Sequence, residues 1–147
     1  MIKPSAFLLI VGEEFSPSKA EGILNLTLGP LKNEPGELGS RGKYKGKPTP
    51  FGSATIEYEW TVSDPVFQEN FPDLLPSNLD LFTVPNFVDV LRDCGAINIT
   101  LYVNVGYDTQ CNMELSSQLL SALGKLGIVV AITCYQLDED DLQAHSP

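Results

Sequence analysis

Residues Ala54 to Val62 read Ala-Thr-Ile-Glu-Tyr-Glu-Trp-Thr-Val, an alternation in which Ala54, Ile56, Tyr58, Trp60 and Val62 share one face and Thr55, Glu57, Glu59 and Thr61 the other. Successive strand side chains point to opposite faces, so this is a strand with one face on a core and one in water. A single wet face argues for an antiparallel sheet covered by helices on one side only. Downstream, Ile97, Ile99, Leu101, Val103 and Val105 alternate with Asn98, Thr100, Tyr102 and Asn104 in a second strand of the same kind. Upstream, Ala6 to Val11 is a continuous apolar run bounded by Pro4 and Gly12, which reads as a central strand buried on both faces.

Helices fit between these strands. Ser16 precedes Pro17, the favoured first helical position, and Ser18 to Glu21 offers a capping box, so a short helix is predicted to run to about Leu24. Leu26 to Leu28 reads as a brief strand stopped by Gly29-Pro30. Between Val66 and Thr83 apolar residues broken by Pro72 and Pro76 predict one or two helical turns. Asn86 and Asp89 then open a short helix closed by Gly95. The main helix is carried by Leu115, Leu119, Ala122, Leu123 and Leu126, with Gly127 as its left-handed cap. A β-branched strand, Ile128 to Tyr135, follows at once. The order predicts an α+β fold: a mainly antiparallel sheet of four or five strands with helices on one face, ferredoxin-like in character. Residues 1–137 form one domain and 138–147 an acidic exposed tail.

The texture changes between Gly29 and Gly52, which hold six glycines and four prolines and predict a long loop over residues 31–51. More than half of the chain's nine basic residues fall here: Lys32, Arg41, Lys43, Lys45 and Lys47, opposed by Glu34 and Glu37. Arg41, Lys43, Lys45 and Lys47 are therefore candidate anion-binding residues, although the glycine spacing is not that of a phosphate-binding loop.

Over its 147 residues the chain carries 19 acidic against 9 basic side chains, a net charge of −10. Such an excess repels phosphate backbones and excludes nucleic acid as a general partner, while it favours a basic protein. No apolar run approaches the ~18 residues of a membrane span. The Met1 to Gly12 start lacks the features of a signal peptide, and three cysteines without short spacing argue against a disulfide framework, so a cytoplasmic setting is expected. The lone histidine, His145, lies two residues from the end, a poor place to hold a general base. Neither catalytic residues nor a metal site nor a cofactor is expected. Cys94 and Cys134 read as small buried apolar groups. Between Tyr107 and Glu114 the plainer reading is that Asp108 or Asn112 is an N-cap and Tyr107 packs on the sheet edge; the alternative is a helix start that lowers the pKa of Cys111. The candidate partner surface comprises Glu57, Glu59, Asn98, Tyr102 and Asn104 on the wet strand faces, together with Asp138, Glu139, Asp140 and Asp141.

Three segments carry a family resemblance: Phe7 to Pro17 with its following helix, the Gly-x-Lys loop running into a strand that ends at Trp60, and the closing helix, Leu126-Gly127 and strand to Tyr135. Together they resemble the bacterial domain-of-unknown-function family 4279. The long loop and Tyr107 to Glu114 go beyond that pattern. The resemblance implies a small bacterial cytoplasmic α+β protein without established catalytic residues, some relatives of which are similar to toxin-neutralising immunity proteins. The expected function is thus a non-enzymatic protein that binds a basic cognate toxin. The alternative is a binding module or enzyme for an anionic small molecule or nucleotide that uses the basic loop.

Overall fold

A computed structural model describes residues 2–60, 62 and 73–140. Five strands form one sheet: β1 (Ile2–Gly12), β2 (Leu31–Asn33), β3 (Gly52–Glu59), β4 (Asn98–Tyr107) and β5 (Val129–Gln136), in the spatial order β2-β3-β1-β4-β5. All neighbours pair antiparallel except β4 and β5, which are parallel. The helices are α1 (Pro17–Leu24), α2 (Asp80–Thr83), α3 (Phe87–Asp93) and α4 (Ser117–Leu126). The class is α+β, with the two-layer form expected, and α4 is the crossover that parallel β4 and β5 require.

One core joins the layers. Ala6, Leu8 and Ile10 of β1, Ala54 and Ile56 of β3, and Ile99, Leu101, Val103 and Val105 of β4 cluster with Ala20, Leu81, Phe87, Val88, Leu91 and Leu119 from the helices. Every strand residue in that cluster has the same facing, so all four helices lie on one side. The opposite face of the sheet has no helix over it among the described residues, and the 34–50 segment overhangs only one end of it. β1 is central, as its apolar run predicts, but Phe7, Leu9 and Val11 are only half-buried. They are flanked by neighbouring strands instead of being covered by a second layer.

The strand also runs through Pro4 to Ile2. Pairing with β3 stops at Ser5↔Glu59, whereas pairing with β4 continues to Ile2↔Tyr107. Pro4 therefore sits past the last β3 rung, where its missing N–H interrupts no ladder on that side. At the other end β1 closes on the α3–β4 turn: a Cβ on Gly12 would lie 2.0 Å from the Gly95 carbonyl oxygen. Only glycine lets these two backbones approach so closely.

Helix ends depart from the sequence reading in three places. α1 is capped by Ser16, which accepts a hydrogen bond from the Lys19 N–H, while Ser18 and Glu21 turn outward to other partners. α4 is capped by Ser116, held in turn by the Asp73 carboxylate, and not by Asp108 or Asn112. Asn86 opens α3 with a left-handed backbone and no side-chain cap. At its C-terminus α4 ends on left-handed Gly127, and Arg92 donates to the carbonyls of Leu126 (3.1 Å) and Gly127 (2.9 Å), placing a cation where the helix dipole favours one.

The segment read as a loop is more regular than expected. Leu26 to Leu28 form no strand; β2 comes just after, at Leu31–Asn33. Beyond it, the Gly39 N–H donates to the Lys47 carbonyl and the Gly46 N–H to the Gly39 carbonyl, both at 2.9 Å, around a 3-10 turn at Gly42–Tyr44. Leu38 pairs with Pro48 and Gly39 with Lys45. Glycines at 36, 42 and 46 take positive φ, which lets so few residues double back.

Candidate functional site

The uncovered sheet face gathers all the strand residues singled out as a partner surface. Register sets them in rows. Glu57, Phe7, Tyr102 and Ala131 lie side by side across β3, β1, β4 and β5, and Glu59, Ser5, Asn104 and Thr133 form the next row. Toward the other end come Thr55, Leu9, Thr100 and Val129, then Ser53, Val11 and Asn98. At the centre the rings of Phe7 and Tyr102 stack with centroids 4.8 Å apart and planes at 16°. Tyr102 remains 36% exposed, so the pair is a flat aromatic platform open to solvent. Glu57 and Glu59 are exposed and make no ion pair among the described residues.

Charge is distributed unevenly along this face. β3 ends at Glu59, and β5 runs out beside Tyr107 into Asp138, Glu139 and Asp140, all exposed. Glu59, Asp138, Glu139 and Asp140 thus lie at one end of the sheet, with Lys3 of β1 at the same end, while Glu13 and Glu14 follow β1 at the other; Asp141 lies outside the described residues. The basic residues of the 34–50 segment lie at the opposite end, where β2 leaves and β3 begins, about 20 Å away at the rise of an extended strand.

Beneath that segment the sheet face becomes a pocket of about 310 Å³. Its floor is Leu9, Leu31, Ser53 and Thr55, and its walls include Leu38, Arg41, Tyr44 and Phe51. Tyr44 and Phe51 meet edge to face at 5.6 Å, and the Lys43 ammonium lies 5.4 Å from the Tyr44 ring centre. The wall is anchored by Asn33: its side-chain amide donates to Thr49 Oγ1 (3.0 Å) and to the Phe51 carbonyl (2.9 Å), while its oxygen accepts from Ser53. Thr49, 5% exposed, donates in turn to the Glu37 carbonyl at 3.1 Å. Of the four candidate anion-binding residues only Arg41 lines the pocket; Lys43, Lys45 and Lys47 are exposed on the outer turn. The same segment is tied to α1 through Glu34, which accepts from the Ser18 N–H at 2.8 Å.

Two thiols depart from expectation. Cys134 is exposed on β5 rather than buried, because β5 is the sheet edge. Cys111 is half-buried and six residues ahead of α4, beyond reach of its dipole; burial pushes its pKa up, and the adjacent Cys134 thiol adds to the rise. The alternative of a helix start lowering the Cys111 pKa is therefore corrected: its surroundings shift it the other way. Cys94 is buried as expected. Among the described residues no three His, Cys, Asp or Glu side chains converge on one point, and no helix is long and apolar enough to cross a membrane.

The residues that sequence reasoning missed are Phe7, Leu9 and Val11. A signal for them existed: once the strands on either side each have a wet face, a strand between them shares it. Compared with known proteins, the chain matches no family model, no curated protein and no solved structure.

Proposed function

We propose that this chain is a non-enzymatic binding protein that neutralises a basic protein partner, in the manner of an immunity protein that occludes its cognate toxin domain. The observation that carries the reading is the uncovered sheet face, with a stacked Phe7–Tyr102 platform at its centre and Glu57 and Glu59 beside it. A rigid sheet holds these groups without the ordering cost that a loop would incur, and an exposed aromatic flanked by polar groups is the usual form of an interface anchor. Asn98 and Asn104 supply adaptable hydrogen bonds, and Asp138, Glu139 and Asp140 extend the acidic end. A net charge of −10 accelerates encounter with a basic surface. The resemblance to family 4279 lends the reading its biological direction.

The test is co-expression with the product of the adjacent gene, read by co-purification and by rescue of growth. Tyr102→Ala is expected to cost at least about 2 kcal/mol of binding, a loss of roughly thirtyfold in affinity. Glu57→Lys with Glu59→Lys should slow association, most at low salt. Absence of a tight protein partner, or binding indifferent to these variants, would overturn the proposal.

One observation favours a second reading, an anion site: Arg41 on the wall of the pocket beneath the basic segment. A thermal-shift screen with inorganic phosphate and nucleotides tests it. A ligand at 100 times its Kd adds about 2.7 kcal/mol of stability, and Arg41→Ala should abolish the shift.

A further inference from the structure

The two edges of the sheet are unequal. β2 is three residues long and is followed at once by the folded-back 34–50 segment, a short protected edge. β5 is the opposite edge. Its eight residues, Val-Val-Ala-Ile-Thr-Cys-Tyr-Gln, contain no charge, no proline and no glycine. One side of its backbone is paired with β4, and among the described residues no strand pairs with the other. Val129 is 62% exposed, Ile132 46% and Tyr135 45%, and Leu120 of α4, the helix leading into this strand, is 52% exposed. Within the strand itself there is no lysine, no proline and no bulge, the devices by which an edge strand blocks pairing.

Charge placement at the two ends of β5 indicates what docks there. Lys125 and Arg92 stand where the strand begins, Arg92 on the carbonyls of Leu126 and Gly127. Asp138, Glu139 and Asp140 stand where it ends. A second β5 laid alongside in the antiparallel sense brings the acidic end of each copy to the basic end of the other, twice by symmetry. A parallel strand of the same chain would oppose like charges. Between these ends the strip is neutral, so two molecules of net charge −10 can approach there.

We propose that β5 is a self-association edge, and that two copies of this chain pair it antiparallel about a twofold axis to form one ten-stranded sheet. Keeping the open face of one copy level with that of the other requires odd residues to pair with odd. A register centred on Ile132 meets this condition and pairs every residue from Val129 to Tyr135, with Val129 opposite the partner's Tyr135 and Ile132 opposite its own copy. The contact is isologous and closed, because each β5 has only one free edge.

Sedimentation equilibrium of the full chain, from low micromolar to millimolar concentration, tests this. The mass is expected to rise from 16.0 kDa toward twice that value. Ile132→Lys sets two ammonium groups against each other and should weaken self-association about tenfold or more. Val129→Lys, on the more exposed open face, should do the same without touching the core side of the strand. Lys125→Glu should also weaken the pair, and Asp140→Lys in the same chain should restore it. A chain that stays monomeric throughout overturns the proposal. So does a dimer indifferent to Val129→Lys, and a charge reversal at Lys125 without effect overturns the antiparallel arrangement.

Discussion

Tyr58 lies on the core side of β3 and Trp60 one residue past its end, and their polar atoms, the phenol oxygen and the indole N–H, are buried with no hydrogen-bond partner among the described residues. An unpartnered buried hydroxyl costs stability, so Tyr58→Phe is expected to leave the fold unchanged and to stabilise it by up to about 1 kcal/mol, some 3 °C in Tm by calorimetry. The pH dependence carries the same signature. Burial, reinforced by the Asp80 charge, raises the Tyr58 pKa above its ordinary value of 10.0. The folded state then holds its proton where the unfolded chain has lost it, so this contribution is complete below pH 10 and declines as pH rises above it. Tyr58→Phe should flatten that alkaline decline; equal slopes in denaturant titrations above pH 10 would contradict the assignment. At the acid end Glu21 and Glu34 act in the opposite direction. Lys32, 2.7 Å from Glu21, holds its carboxyl below the usual range against a desolvation penalty. Burial pushes Glu34 upward, but hydrogen bonds from Ser18 and Ser16 outweigh it and lower its pKa. Both contributions are present above about pH 4.5, the ordinary glutamate value, and fade as pH falls through the lowered values. Glu21→Gln should therefore diminish the loss of stability below that pH.

Among the elements, the 34–50 segment is the one whose character changed most between sequence and structure. Glycines and prolines announce turns, and turns were found; that they close a small pocket follows from contacts no local pattern encodes, such as Asn33 reaching Thr49 and Ser53. Asn33→Ala should cost about 1 to 3 kcal/mol through the groups it leaves unpaired, with faster amide exchange confined to this segment and β2. Residues 39 and 47 are joined by a backbone hydrogen bond, so excising 40–46 leaves a short gap that a tight turn can bridge. The sheet should survive that deletion with its Tm nearly unchanged, since loop-closure entropy varies slowly with length; global unfolding would show that the segment is part of the core. The strands themselves were legible because β3 and β4 each alternate over many residues with one wet face. β1 was legible as central but not as half-open, since apolar side chains on a solvent-facing row look the same in sequence as buried ones. Local pattern does not single out the caps, because Ser16, Ser18 and Ser116 all carry suitable side chains and tertiary contacts choose among them.

At the scale of the whole molecule, the described helices lie on one side of the sheet and the residues of the proposed partner surface on the other, so stability and the proposed binding should be separable. Glu57→Lys and Glu59→Lys are expected to leave Tm within about 1 °C, as exposed substitutions away from caps and core, while changing association with a basic partner. Differential scanning fluorimetry beside a binding titration would check the separation, and a large loss of stability would refute it. The central ladder has a further, kinetic consequence. β1 closes against β4 through rungs that join residue 2 to residue 107 and residue 11 to residue 98. Forming them requires most of the chain to be in hand before its longest strand gains its second neighbour. Chains dominated by such distant pairings reach the native state in milliseconds to seconds, not microseconds. Until that rung is made, β1 can satisfy only the β3 side of its backbone, and the most apolar strand of the protein waits with one edge open.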